Sequence, residues 1–313
     1  LILVLRAGYG AGGTKSNDVS TNYRGLAFSI GGDHNLEKHI TIPNILKKFN
    51  PKLFGQSYGI GPVDDWEHAQ LNVAVGGAKA IDMPDQAKHL VHLMESHPDK
   101  INMQEDWKLI HIFIGANDAC DYCGPESSND GPSSPVNYKL YLEEAVRYLY
   151  ENVPKAIVSI VSMMNIQLLS EIDKTSNFCK VLHQRTCNCD NPINKVDVAK
   201  LCRDYQRAAM EIQDSGLYES NDFTVVVQPL LQDIFQPKLT AGDKSDVSFF
   251  APDCFHFSQY GHAIFAKFLW NNLMQAVGSK TTSYNLTDIT VELQCPSENC
   301  PFIRTKNNSK NPC

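Results

Sequence analysis

Leu109-Ile110-His111-Ile112-Phe113-Ile114-Gly115-Ala116-Asn117-Asp118 decides the fold. A run of mostly β-branched and aromatic residues ends abruptly at a glycine followed by an Asn-Asp pair. Apolar and polar residues do not alternate, which suits a strand covered on both faces in a parallel sheet rather than one facing water. Two similar runs follow it, Ala156 to Ser162 and Phe223 to Val227. Two precede it: the short Asn72 to Val75, and Leu1 to Leu5, which runs into the turn-like Ala7-Gly8-Tyr9-Gly10-Ala11-Gly12-Gly13.

Helical stripes fill the gaps. Ala87, Leu90, Val91 and Met94 recur at i, i+3, i+4, i+7, with Asp82 and Pro84 as a start signal. Tyr138, Tyr141, Leu142, Ala145 and Leu149 repeat the pattern after Ser134-Pro135, and Val198, Leu201, Cys202, Tyr205, Ala209 and Ile212 make the clearest stripe. Ile264, Phe265, Phe268 and Leu269 form the last, with Ser258 as its cap. These stripes are core faces. Strand–helix alternation predicts a three-layer α/β/α sandwich with about five parallel strands and right-handed crossovers. One domain is expected over 1–276, with a cysteine-containing loop insertion at 172–194, and a disulfide-tied or partly disordered tail at 277–313.

Composition narrows the class. Of 313 residues 42% are hydrophobic, enough for a large core, yet no run reaches the roughly 20 apolar residues of a membrane helix. A net charge of −7 argues against a nucleic-acid partner. The ten cysteines suggest disulfides formed in an oxidising compartment. Cys120-x-x-Cys123 and Cys187-x-Cys189 leave zinc as an alternative, without the spacing of paired zinc knuckles. Sequons at Asn285 and Asn307 also lean towards an extracellular or cell-surface protein. Leu1 to Leu5 is too short for a signal-peptide core, and the chain starts without Met. A mature form, an excised domain or an incomplete gene model is therefore expected.

In open parallel sheets, reactive groups gather at the carboxyl ends of strands. After the 109–114 run, Gly115-Ala116-Asn117-Asp118 would project a side-chain amide suited to an oxyanion; an ordinary Asx turn would use the same residues. After 72–75, Gly76-Gly77 would let a backbone N–H approach a substrate oxygen, or simply make a strand-to-helix turn. Asp253 and His256, three apart before the last helix, could form a carboxylate–imidazole pair in which Asp253 fixes the tautomer of a general base. A structural histidine is the competing account for His256. His262 reads as structural.

Gly77, Gly115-x-Asn117-Asp118 and Asp253-x-x-His256, in this order, resemble the SGNH, or GDSL, hydrolase superfamily. Tyr23 to Asp33, Gly115 to Cys120 and Asp253 to Ser258 narrow the likeness to its animal phospholipase B-like branch, from about Ala7 to the tail. The resemblance implies a flavodoxin-like sandwich and cleavage of acyl esters of phospholipids or lysophospholipids without a metal or organic cofactor. It leaves room for contact with a membrane surface. It also implies Asp253 and His256 as catalytic residues, Gly77 and Asn117 as the oxyanion hole, and Gly115 and Asp118 as their supports.

One position departs from the pattern. The family's Gly-Asp-Ser-Leu block is replaced by Ile2-Leu3-Val4-Leu5, which puts Val4 where the nucleophilic serine belongs. Valine cannot attack a carbonyl. Ser16, Ser20 and Ser29 do not follow a strand as a strand-end nucleophile does. A missing or mis-spliced N-terminal flank is the expected cause. The alternatives are a catalytically inactive homologue that binds lipid or acyl ligands, or an esterase of acylated sugars.

Overall fold

Three parallel strands form the sheet among the residues that the computed structural model describes, which are 8–124, 128, 130–187, 189, 196–238, 245–286 and 290–310. They are β1 (Lys108–Ile112), β2 (Ala156–Val161) and β3 (Phe223–Gln228), in the order β1-β2-β3. Lys108 pairs with Ala156 and Ile112 with Ile160; Ala156 pairs in turn with Phe223 and Val161 with Gln228. Every residue of β3 is buried, as expected of a strand covered on both faces.

The α-helices among the described residues are α1 (Ile42–Leu46), α2 (Trp66–Ala69), α3 (Met83–Ser96), α4 (Ala116–Tyr122), α5 (Pro135–Asn152), α6 (Leu168–Asp173), α7 (Asn177–Thr186), α8 (Val198–Ser215) and α9 (Gln259–Leu273). Helix starts follow local chemistry. Ser134 Oγ accepts from Asn137 N ahead of α5, and Ser258 Oγ accepts from Gly261 N ahead of α9. Pro84 sits in the first turn of α3, where its missing N–H costs nothing. α3 packs on α5 and α5 on α8, while α9 packs on β3 and α1. The result is the expected α/β/α sandwich. Its centre joins Ile110, Ile112, Val158, Ile160, Val225 and Val227 to the aromatic cluster of Phe249, Phe257, Phe265 and Phe268.

The run Leu1 to Leu5, including Val4, lies outside the described residues. Residues 72–75 do not form a strand there; Asn72 alone is a bridge residue. A strand requires repeated hydrogen bonds to a neighbour. Here the alternate carbonyls of Asn72 and Ala74 accept from the guanidinium of Arg24, at 3.0 Å each, and Arg24 Nε also donates to Gly61 O at 2.7 Å. A buried side chain thus satisfies part of the segment. The expected loop at 172–194 is partly helical, since α7 occupies Asn177–Thr186 with Ser176 as its cap.

The described part of the tail is docked on α9. Trp270 Nε1 donates to Gln294 O at 2.7 Å, Asn271 Nδ2 to Glu292 O at 2.8 Å, and Arg304 N to Leu273 O at 2.8 Å. Tyr284 stacks on Phe268 with ring centroids 4.1 Å apart.

Candidate active site

The loop between β3 and α9 brings Asp253 and His256 together. Asp253 Oδ2 lies 2.6 Å from His256 Nδ1, while Oδ1 accepts the backbone N–H groups of Phe255 (3.0 Å) and His256 (2.9 Å). Burial opposes ionisation of Asp253, but the hydrogen bond and charge of His256, with those two N–H groups, bring its pKa down to about 2. The carboxylate is therefore charged at neutral pH and fixes the ring's orientation.

The backbone makes this possible at Cys254, whose φ of 60° is unusual for a residue with a Cβ. Three contacts hold it there: a disulfide to Cys179 on α7, a hydrogen bond from its own N–H to Ala251 O, and the approach of His183 Nε2 to its carbonyl at 3.2 Å. His183 is itself oriented by Asp173, 2.7 Å from its Nδ1. Neither Asp173 nor His183 was visible as a site residue in the sequence. They lie ten apart with no motif, and only the packing of α6 on α7 brings them together.

The second half of the site is the turn after residue 75. Asn117 Nδ2 donates to Ala78 O at 2.9 Å, which anchors the side-chain amide against that turn. An amide has two N–H donors, so one anchoring bond leaves a second for a substrate oxygen. Gly77 has φ +80°, and no atom lies within 4 Å of the place its Cβ would take, so this face of the turn is open. Gly115 sets the start of α4. Its φ is +122°, and a Cβ there would come within 3.1 Å of the Tyr138 ring. Asp118, only 1% exposed, accepts Ala80 N with both oxygens, at 3.0 and 3.1 Å, and so ties α4 to the Gly76–Ala80 turn.

Tyr9 joins the two halves. Its ring centroid is 5.3 Å from that of His256. On the other side it lies against Gly76, where an added Cβ would come within 2.7 Å of Tyr9 Cε2. Gln259 N donates to Ala11 O at 2.7 Å, fastening the glycine-rich turn to the start of α9. The imidazole, the Gly76–Gly77 turn and the Asn117 amide are thus connected through one aromatic ring and one carbonyl. Sequence reasoning saw Tyr9 only as one residue of the turn-like, glycine-rich run 7–13. Val4 cannot be located relative to these groups, being outside the described residues. His262 is structural: it is buried in α9, accepts Phe28 N at Nδ1 and stacks on the Phe28 ring.

Burial pushes the Asp118 carboxyl up to about 7, against the pull of Ala80 N–H. Its folded pKa lies above its unfolded value of 3.8. The folded state therefore prefers the protonated form, and this contribution to stability is complete below about pH 4 and disappears as pH rises through 7. Asp118→Asn, which keeps an acceptor for Ala80 N, should flatten the stability profile between pH 4 and 7. It should also leave the protein about 2–4 kcal/mol more stable than the parent at pH 8. Urea unfolding at pH 5 and pH 8 measures this; an equal pH dependence in both proteins would remove the assignment.

The cysteines that could have bound zinc are paired covalently, Cys120 with Cys187 and Cys123 with Cys189. Cys300 is also disulfide-bonded, while Cys202 (buried) and Cys295 (exposed) are free. Three disulfides among the described residues fit an oxidising compartment. No helix among those residues is long and apolar enough to cross a membrane. Asn285 and Asn307 are both exposed.

A strand-end amide, a glycine turn and an Asp–His pair on an α/β/α sandwich define an acyl-hydrolase scaffold. The GDSL-like lipase/acylhydrolase family profile matches residues 8–269, and the chain belongs to that family. It is 42% identical over 313 residues to "Phospholipase B1, membrane-associated" of Homo sapiens, covering 98% of this chain and 21% of that protein. The protein of the same name from Mus musculus is 42% identical over 316 residues (97% and 21%), and that from Rattus norvegicus 41% over 307 residues (96% and 20%). The chain spans about a fifth of the length of these relatives.

Proposed function

We propose that this chain carries the acyl-transfer apparatus of a phospholipid or lysophospholipid ester hydrolase, with Val4 at the nucleophilic position. The observation that carries the reading is the Asp253–His256 pair, 2.6 Å apart, packed through Tyr9 against the turn that holds Gly77 and the Asn117 amide.

In a form with serine at position 4, the serine Oγ attacks the ester carbonyl carbon and its proton passes to His256 Nε2. Asp253 holds Nδ1–H and stabilises the imidazolium. The carbonyl oxygen, now negative, is received by Asn117 Nδ2–H and Gly77 N–H. Collapse breaks the ester C–O bond, and His256 returns the proton to the departing alkoxide. Water then attacks the acyl-serine by the same route, and the fatty acid leaves. Burial raises the Asp118 carboxyl to about 7, so it places less negative charge beside the developing oxyanion than an ordinary carboxylate would at neutral pH.

With valine at position 4 the chain has no group to acylate. This favours a second reading, a catalytically silent member that keeps a lipid or acyl pocket. One experiment addresses both. The chain as it stands should not react with a fluorophosphonate probe, whereas Ile2→Gly, Leu3→Asp and Val4→Ser together should restore covalent labelling at the introduced serine. A folded triple variant that stays unlabelled would defeat the hydrolase reading. The disulfides and exposed sequons support an extracellular or cell-surface setting with N-glycans at Asn285 and Asn307, and a lipid substrate brings the chain to a membrane surface.

A further inference from the structure

Disulfides tie α7 to both halves of the site. Near its start Cys179 bonds Cys254, which lies between Asp253 and His256 in the chain. Just past its end Cys187 bonds Cys120 on α4, the helix whose first turn carries Asn117, and Cys189 bonds Cys123 at the end of that helix. Helical spacing fixes which face is inward. Cys179, His183 and Cys187, four apart, are buried, and His183 is held there by Asp173 at 2.7 Å. Phe178, Val181, Leu182 and Arg185 follow one another at i, i+3, i+4 and i+7 and form the opposite face. Phe178 is 60% exposed and Val181 43%, while Leu182 is half-buried. A surface helix ordinarily turns its apolar stripe inward. In α7 covalent bonds secure the inward face, and the apolar stripe meets water. Ser245 N donates to Thr175 Oγ1 at 3.3 Å, which sets the loop carrying the exposed Val247 beside the turn before α7. Residues 177–186 hold two cations, Lys180 and Arg185, and no carboxylate, in a chain of net charge −7. Of the acids on α6, Glu171 pairs with Lys174 at 2.7 Å and Asp173 is turned inward to His183.

We infer that the outward face of α7 is the surface by which this chain docks on a lipid bilayer, with Phe178 and Val181 entering the acyl boundary and Lys180 and Arg185 at the level of the phosphates. The inference rests on the lipid-hydrolase reading and adds to it which face meets the lipid. Exposed apolar side chains grouped on one element mark a binding surface. Apolar side chains that leave water, flanked by long cationic ones that reach back to the headgroups, are what a helix lying in a bilayer interface requires. A bilayer answers both parts of this face at once, with methylenes for Phe178 and Val181 and phosphate oxygens for the Arg185 guanidinium. The disulfides fix α7 relative to the Asp253–His256 loop and to the start of α4. Docking through α7 therefore carries both halves of the site to the same interface.

The test needs no turnover. The chain as it stands is mixed at low ionic strength with vesicles of phosphatidylcholine, alone or with added phosphatidylglycerol, and the bound fraction is read by co-sedimentation. It should bind both, and about fivefold more tightly where phosphatidylglycerol is present, although its net charge of −7 opposes this. Phe178→Ser with Val181→Ser should weaken binding to both kinds of vesicle by about tenfold or more. The melting temperature should not change, because both side chains are exposed in the parent. Lys180→Gln with Arg185→Gln should abolish the preference for phosphatidylglycerol. Absence of binding by the parent, parent-level binding after the two serine substitutions, or equal binding of the parent to the two kinds of vesicle would each overturn the assignment. So would a lowered melting temperature after the serine substitutions, which would make Phe178 and Val181 structural. A concentration-dependent dimer of the parent, seen by ultracentrifugation and lost with the same substitutions, would overturn it too, since a second copy would then occupy the face. In the serine-restored chain, labelling by a soluble fluorophosphonate should proceed at the same rate with and without Phe178→Ser and Val181→Ser. That labelling reports on the hydrolase reading without vesicles, so failure of either reading leaves the other legible.

Discussion

In the serine-restored chain, His256→Ala should slow fluorophosphonate labelling on the order of 10^4-fold, the upper range for loss of a positioned general base. The argument is geometric. Asp253 is committed to His256 by a 2.6 Å contact and by two backbone bonds from the residues that follow it, so the ring has one orientation relative to its carboxylate. Asp253→Asn should lose nearly as much. Its amide can offer an N–H where His256 needs an acceptor, which stabilises the wrong tautomer. Both variants should remain folded, because the pair is partly exposed, at 22% for the His256 side chain and 17% for Asp253. Labelling of the His256→Ala form at the parent rate would show that the histidine has no part in activating the serine.

Arg24→Ala should destabilise the fold by about 4 kcal/mol, read from urea unfolding of the chain as it stands. Arg24 is 1% exposed, and its guanidinium donates to three backbone carbonyls, those of Gly61, Asn72 and Ala74. Burial brings its pKa down to about 10, partly offset by the charges of Asp64 and Asp65, so it stays cationic at neutral pH. Removing it strands three buried acceptors at roughly 1 kcal/mol or more each and deletes the packing of its methylenes. Arg24→Met restores much of the volume without the donors, so it should recover only the packing share. In the serine-restored chain both variants should also label more slowly, because the Asn72 and Ala74 carbonyls lead directly into Gly76 and Gly77. A loss below 1 kcal/mol in Arg24→Ala would mean that water replaces the guanidinium at those carbonyls.

The parts of the fold legible in the sequence are those with short-range causes. The apolar runs at 109–114, 156–162 and 223–227 predicted β1, β2 and β3 to within two residues at each end, because strands buried on both faces admit little else. β1 stops at Ile112 rather than Ile114, as the chain begins its turn towards Gly115. Ser134 and Ser258 were readable as caps because a hydroxyl serves an N–H three residues on. The segment 72–75 was misread as a strand because its pattern is strand-like, while a guanidinium 48 and 50 residues away takes two of its carbonyls.

The candidate site divides in the same way. Asp253 and His256 were visible together because three residues of loop suffice to close a carboxylate on an imidazole. Asn117 was visible as a residue type after a strand, but its anchor, Ala78 O, is 39 residues away. Tyr9, Asp173 and His183 gave no usable signal, since an aromatic ring, a carboxylate or a histidine acquires its role only from what packs beside it.

The order of the motifs, the apolar runs and the local Asp–His spacing determined the scaffold from sequence alone, pointed to acyl-transfer chemistry and exposed the valine at position 4. Tertiary structure alone decided that Tyr9 lies between His256 and Gly76, and that Arg24 secures the turn before Gly77. The reason is range. Hydrophobic periodicity and capping act over a few residues and leave a pattern in the chain, whereas contacts closed across 40 to 250 residues depend on the whole packed core.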